Sequence, residues 1–189
     1  MEIYIVTKSE ARKNLLKNIG FRFRTAEVDF DEKILNDPVK TIKYNSLGKH
    51  GEASKIYDGI VVTFDTVIYH RDTVIGKPRN RDEARNILIK LSGETHKVYT
   101  GVVVGDRRKR YFGYGETEVK FIDIPKDLLE WYLDREEYWR YAAGYRIQGY
   151  ASIFIEYVKG DFFNVIGVPI QILFNLLNRY GVNPLKYLD

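Results

Sequence analysis

Residues 59 to 69, GIVVTFDTVIY, form a long apolar run rich in β-branched side chains. Such a run reads as a strand buried inside a sheet, and the rest of the chain has to be arranged around it. A strand's period of two places Val61, Thr63, Asp65, Val67 and Tyr69 on one face. Ile60, Val62, Phe64, Thr66 and Ile68 fall on the other. A carboxylate therefore lies in the interior of the run. Moving an ionised carboxylate out of water costs several kcal/mol unless a cation, hydrogen-bond donors or a raised pKa compensates, so Asp65 needs something opposite it. Position alone leaves two readings of equal weight. One is a structural Asp that caps a helix or pairs with a buried Arg, and the other is a carboxylate with a chemical task.

Around this strand the chain alternates extended and helical segments. EIYIV (2 to 6) is a second interior strand, and Thr7 to Ser9 lead into a helix with Ser9 as N-cap. In that helix Arg12, Leu15, Leu16 and Ile19 repeat at i, i+3, i+4 and i+7, which sets an arginine in the first turn of the inward stripe, and Gly20 ends it. FRFRTAEVDFDEK (21 to 33) starts extended and ends in the acidic residues Asp29, Asp31 and Glu32. Residues 34 to 58 are the hardest to read: Pro38 and Val39 open a helix that Gly48 and Gly51 are expected to interrupt. After the central run come a turn at His70 to Asp72, a short return strand ending at Gly76-Lys77-Pro78, and a helix on Ala84, Ile87, Leu88 and Leu91. Residues 96 to 106 and 111 to 123 form a hairpin with RRKR at its tip, a helix starts near Lys126, and 150 to 161 read as strand and loop. Pro169 is expected at N1 of a last helix carrying Leu173, Leu176, Leu177 and Tyr180 inward. The pattern predicts a mixed α/β or α+β architecture, a central mixed sheet flanked by helices, in one domain spanning 1 to 189, two-lobed if returning strands build a second lobe.

Composition removes several kinds of chemistry. With no cysteine in 189 residues there is no thiolate nucleophile, disulfide framework or Cys-based zinc site. His50, His70 and His96 lack ligand spacing, which argues against zinc and against a His-based triad. The apolar start MEIYIVTKSE is too short for a signal peptide and no apolar run is long enough to span a bilayer, so the expectation is a cytoplasmic protein without a membrane partner. A net charge of +4 suits an anionic ligand without demanding nucleic acid. The basic tip in DRRKRYFGYG is small, and reads as a solvated hairpin end rather than a nucleic-acid surface.

Three further groups point toward phosphate and metal, each with an ordinary alternative. The Ser9 loop opens a helix whose free N–H groups and positive dipole end receive phosphate, and an inward Arg12 adds a bidentate fork, unless its head simply reaches solvent. Lys77 sits in a Gly-Lys-Pro turn that lacks P-loop spacing. Asp29, Asp31 and Glu32 could supply oxygen ligands to Mg²⁺ or could form a surface acidic loop.

The order of these segments carries more than any one of them. TKSEARKNLLKNIGF, VDFDEK, FDTVI, IGKP, LSGETHKVYTGV and GYRIQGYASIFIEYVKGDFFNVIGVPI follow one another over nearly the whole chain. In that order the sequence resembles the Maf family of nucleoside triphosphate pyrophosphatases, also called septum-formation inhibitor proteins. The resemblance implies a Maf/Ham1-like mixed α/β fold with a nucleotide-binding cleft beside the sheet. It also implies hydrolysis of a nucleoside triphosphate, ordinary, non-standard or pyrimidine, to the monophosphate and pyrophosphate with Mg²⁺ or Mn²⁺. Carried over position by position, it makes Asp65 the proton acceptor and a metal ligand, with Glu32 the second metal ligand. Ser9, Arg12, Thr66, Lys77 and Gln148 become substrate-binding residues, and Ala11 stands where family members choose their base. A homodimer is an expectation of the same kind.

The departures lie at specificity positions. Ala11 replaces an arginine or tryptophan, and RYAAGY (140 to 145) replaces the family's D-K-A-G-x-Y, so Arg140 and Tyr141 stand for an acidic and a basic residue. The helical A-x-x-K-A element is shortened, and Lys49 and Lys55 both remain candidates for its lysine. Two other readings stay open: a non-catalytic nucleotide- or nucleic-acid-binding regulator of cell division, and a phosphatase that removes only the terminal phosphate.

Overall fold

The computed structural model describes residues 1–189. Seven strands form one mixed sheet: β1 (Ile3–Val6), β2 (Arg24–Ala26), β3 (Ile60–His70), β4 (Thr73–Ile75), β5 (Thr95–Gly105), β6 (Arg110–Phe121) and β7 (Ile155–Gly160). Their order is β2-β1-β3-β5-β6-β7, with β4 paired to β3 outside that path. β2, β1 and β3 run parallel, and the β3-β5, β5-β6, β6-β7 and β3-β4 pairs are antiparallel. The apolar run is β3, at the centre as its composition requires, and Ile60 to Asp65 are all buried.

Six helices cover the sheet: α1 (Glu10–Asn18), α2 (Pro38–Ile56), α3 (Arg81–Leu91), α4 (Lys126–Leu133), α5 (Phe162–Ile166) and α6 (Ile170–Tyr180). The side chains of Ile60, Val62 and Phe64 with Val102 and Val104 pack against Leu15 and Leu16 of α1 and Leu173, Leu176 and Leu177 of α6. Further along the same face, Ile68, Val98, Val119 and Phe121 form a second cluster with α3, α4 and Phe154. The opposite face is closed by α2, where Val61 meets Ala53, and Val67 with Tyr99 meets Ile42. Removing this apolar surface from water, at about 25 cal/mol per Å², is what holds helices to sheet. No helix is long and apolar enough to cross a membrane.

Three expectations need correction. The glycines do not interrupt α2, which runs nineteen residues from Pro38 to Ile56. Gly48 is there because Phe30 packs onto the helix at that point, and any Cβ would run into its ring. Tertiary packing thus repays a helix-propensity cost of about 1 kcal/mol. Only residues 155–160 of the segment 150 to 161 are strand; Tyr150–Phe154 form a 3₁₀ turn that buries Ala151 and Phe154. Between that strand and α6, the helix α5 is started by the Asp161 side chain accepting from the Phe163 N–H. Pro169 is the N-cap of α6 rather than its first residue.

Candidate active site

The pairing of β3 creates the site. On one side β5 matches it from Val61 to Tyr69. On the other, β1 reaches only to Thr63 and β4 begins only at Ile68. Phe64 to Val67 are left with an unpaired edge, and a cavity of about 540 Å³ opens there. A gap in a sheet is reached from both faces. That is why Asp65 and Thr66, which point to opposite sides of the strand, both line one cavity.

On the α2 side, Asp65 is 5% exposed. Its Oδ2 accepts from Asn45 Nδ2 at 2.9 Å and its Oδ1 from Lys49 Nζ at 3.1 Å. The partner that a buried carboxylate demands is therefore an ammonium with an amide beside it. Asn45 and Lys49 are one helical turn apart, so α2 presents both to the same strand position. Lys49 Nζ also lies 3.0 Å from Glu32 Oε1. Burial would raise the Glu32 carboxyl, but Lys49, with Lys77 and Arg12 behind it, brings it below its ordinary value. Glu32 is held in place because Asn45 clamps the adjoining backbone: its Oδ1 accepts from the Lys33 N–H at 2.9 Å and its Nδ2 donates to the Lys33 carbonyl at 3.1 Å.

On the other face, Arg12 projects from the first turn of α1. Its Nη2 donates to Thr66 Oγ1 at 2.8 Å, and its guanidinium lies 5.5 Å from the centre of the Phe64 ring. Gly167, at φ +99°, makes room for it; a Cβ there would stand 2.8 Å from Arg12 Nε and 3.1 Å from Thr66 Oγ1. Burial lowers the Arg12 pKa from its ordinary value, and Asp65 and Glu32 pull against that. Ser9 caps the helix by accepting from the Arg12 N–H at 3.4 Å, and its own N–H is taken by Thr7 Oγ1. That leaves the first-turn N–H groups of Glu10 and Ala11, and the positive end of the helix, for an anion.

All eight positions expected in the site, Ser9, Ala11, Arg12, Glu32, Asp65, Thr66, Lys77 and Gln148, line the cavity. Asp29 does not, and pairs with Lys8 at 3.7 Å on the surface; Asp31 is exposed outside the cavity. Of the two candidate lysines, Lys49 bridges Asp65 and Glu32, whereas Lys55 is exposed and bound to Glu52. Asn45 was missed because its link to Lys49 is visible only once α2 is known to be unbroken. Arg79, Arg140 and Arg146 also line the cavity but are matched by Glu83, Glu137 and Glu136. Arg12 and Lys77 have no carboxylate within 4 Å, so theirs is the positive charge that a ligand would find unneutralised.

Two carboxylates converging on one ammonium also define what cation could replace it. No three His, Cys, Asp or Glu side chains gather into a metal site. Mg²⁺ fits Asp65 and Glu32, since it commonly takes one or two carboxylates and fills its shell with waters and phosphate oxygens. The arrangement can hold a polyanion against cations and helix N–H groups while a carboxylate stands ready to take a proton.

The chain is also similar in sequence to known proteins. The family described as Maf-like protein matches residues 2–180. A dTTP/UTP pyrophosphatase of Pyrococcus horikoshii is 36% identical over 185 residues, covering 97% of this chain and 99% of its own. One of Clostridium tetani is 34% identical over 191 residues, covering 97% and 100%. Among solved structures, the Ham1 protein of Staphylococcus aureus aligns with a TM-score of 0.47 at 15% identity, over 65% of this chain and 73% of that one.

Proposed function

This chain belongs to the Maf family, and from that premise we propose that it is a nucleoside triphosphate pyrophosphatase acting on pyrimidine nucleotides. It cleaves between the α- and β-phosphates and releases the monophosphate and pyrophosphate. The observation that carries the reading is the cleft's division of labour. A buried carboxylate, Asp65, is oriented by two donors, and the same cleft holds two cations, Arg12 and Lys77, with no carboxylate within 4 Å.

Phosphoryl transfer asks the protein for position and charge more than for covalent chemistry. Arg12, Lys77 and the α1 N-terminus receive the triphosphate and offset charge on the departing pyrophosphate. Asp65 orients a water toward the α-phosphorus and accepts its proton as the new P–O bond forms and the bond to the β-phosphate bridging oxygen breaks. Asn45 and Lys49 keep Asp65 from rotating, which is the near-attack requirement at its simplest. Gln148, exposed at the cavity wall with no hydrogen bond of its own, is placed to meet base or sugar. Asp65 and Glu32 would hold a Mg²⁺ or Mn²⁺ ion, which supplies Lewis-acid charge to the phosphates when bound.

The test is to incubate purified protein with UTP, dTTP, CTP and ATP in Mg²⁺ and follow pyrophosphate and orthophosphate separately. The expected result is pyrophosphate, fastest from UTP or dTTP, and none after chelation of the metal. Release of orthophosphate alone, or no turnover of any triphosphate, would overturn the proposal.

A further inference from the structure

The two hydrophobic clusters on the α1 and α6 face of the sheet meet along a polar seam. There Thr66 of β3 and Thr100 of β5 are register partners, with hydroxyl oxygens 2.9 Å apart. Thr66 Oγ1 accepts from Arg12 Nη2, and Thr100 Oγ1 lies 2.9 Å from the backbone carbonyl oxygen of Asn164. Thr100 has no exposed surface, and neither does Asn164. Asn164 cannot swing away, because its Nδ2 donates to the Val98 carbonyl at 3.0 Å and to Thr117 Oγ1 at 3.1 Å.

A threonine hydroxyl carries one proton, and a carbonyl oxygen can only accept. Two oxygens 2.9 Å apart, shut off from water, need a proton between them or they repel, so Thr100 must spend its proton on Asn164. It then meets Thr66 only as an acceptor, and Thr66 must donate to it. The chain runs one way, from Arg12 to Thr66 to Thr100 to the Asn164 carbonyl.

We infer that Thr66 meets its ligand only as a hydrogen-bond acceptor, and that Thr100 is the positioning residue that makes it so. This rests on the reading of the cleft as a nucleotide site. Of the two Thr66 lone pairs, Arg12 occupies one; the other stays free on a side chain that lines the cleft. Phosphate oxygens on an ionised triphosphate are acceptors, so they are not what Thr66 binds. The matching group is an N–H or O–H: the imide of a uracil or thymine ring, or a sugar hydroxyl. Thr66 thereby reads the nucleoside end while it fixes Arg12 toward the phosphates, and one strand position couples both ends of the substrate.

The experiment compares UTP with 3-methyl-UTP, which lacks the imide N–H, and with 2′-deoxy and 3′-deoxy forms, which lack sugar hydroxyls. The wild-type protein is expected to lose about 10- to 100-fold in kcat/KM on one of them, which identifies the donor. Thr100→Ser keeps the proton chain and keeps that penalty. Thr66→Val removes the acceptor and is expected to bring the penalty below about threefold. Thr100→Val frees the Thr66 proton for donation. An analogue with an acceptor at the identified position, CTP for the imide or an O-methyl ether for a hydroxyl, is then expected to gain about threefold or more relative to UTP over its wild-type standing. A methyl group that merely clashed would be penalised in every variant. Wild-type rates equal within twofold on all analogues, a full penalty persisting in folded Thr66→Val, or no gain on the acceptor analogue in folded Thr100→Val would overturn the inference. Affinities for the α,β-methylene forms are measured alongside. If the wild type hydrolyses no triphosphate, the pyrophosphatase reading falls, while those affinities still decide the direction of Thr66.

Discussion

Asp65 answers at the residue scale why an interior strand tolerates a carboxylate: Lys49 supplies the charge and Asn45 the second hydrogen bond. Asp65→Asn keeps the shape and removes the base, and is expected to lower kcat by about 10²-fold or more. Its amide nitrogen then faces a donor, Asn45 Nδ2 or Lys49 Nζ, so the thermal midpoint falls too, and rates are read well below it, where the variant is folded. Asn45→Ala strips a partner from Asp65 and from both backbone groups of Lys33. Leaving such buried groups unsatisfied costs about 1–3 kcal/mol, so urea unfolding should show that loss together with a fall in kcat as Asp65 and the Glu32 loop loosen. Asp65 and Arg12 were legible in the sequence because each breaks an apolar pattern, and broken patterns are visible one residue at a time. Asn45 breaks none. It matters through three contacts made by one buried amide, and those exist only after the fold has formed.

At the scale of elements, the site is the place where β1 stops and β4 has not begun, roofed by α2 and entered by the first turn of α1. Strand positions were legible from apolar runs, but the gap was not, because pairing partners are set by register and not by composition. Helix α2 was misread for a related reason. Gly48 lowers local helix propensity, yet the helix needs a residue without Cβ there so that Phe30 can lie on it. Gly48→Ala should therefore fail to give the usual helix gain of about 1 kcal/mol, because displacing the ring costs about 1–3 kcal/mol. The expected outcome is a net loss in urea stability and a raised KM, since Phe30 and Glu32 share one loop. A variant more stable than the wild type with unchanged KM would contradict the packing account.

The whole molecule buries all three of its histidines, none of which lines the cleft. Burial pushes His50 down to about 4 and, with His70 nearby, His96 down to about 3; the Gly105 backbone opposes this for His50. Both rings are neutral in the folded protein and protonate near 6.5 when unfolded, so the unfolded state binds more protons below that pH. Their contribution to stability is whole above about pH 6.5 and is lost as pH falls toward 4, by up to about 1.4 kcal/mol per unit for each ring. Chemical denaturation between pH 7.5 and 4.5 should show this slope, and His96→Gln should flatten it; a pH-independent midpoint would contradict it. The layered plan of a mixed sheet with helices on both faces was legible from strand and helix periodicity. The polar seam between the two apolar clusters was not, since Thr66, Thr100 and Asn164 are far apart in sequence. The claim on which the account turns is that Asp65 delivers water to the α-phosphorus, and hydrolysis in ¹⁸O-labelled water tests it most directly. The account predicts label in the nucleoside monophosphate, unlabelled pyrophosphate, and loss of the labelled product in Asp65→Asn. Label in pyrophosphate or orthophosphate, or undiminished labelling by that variant, would contradict it.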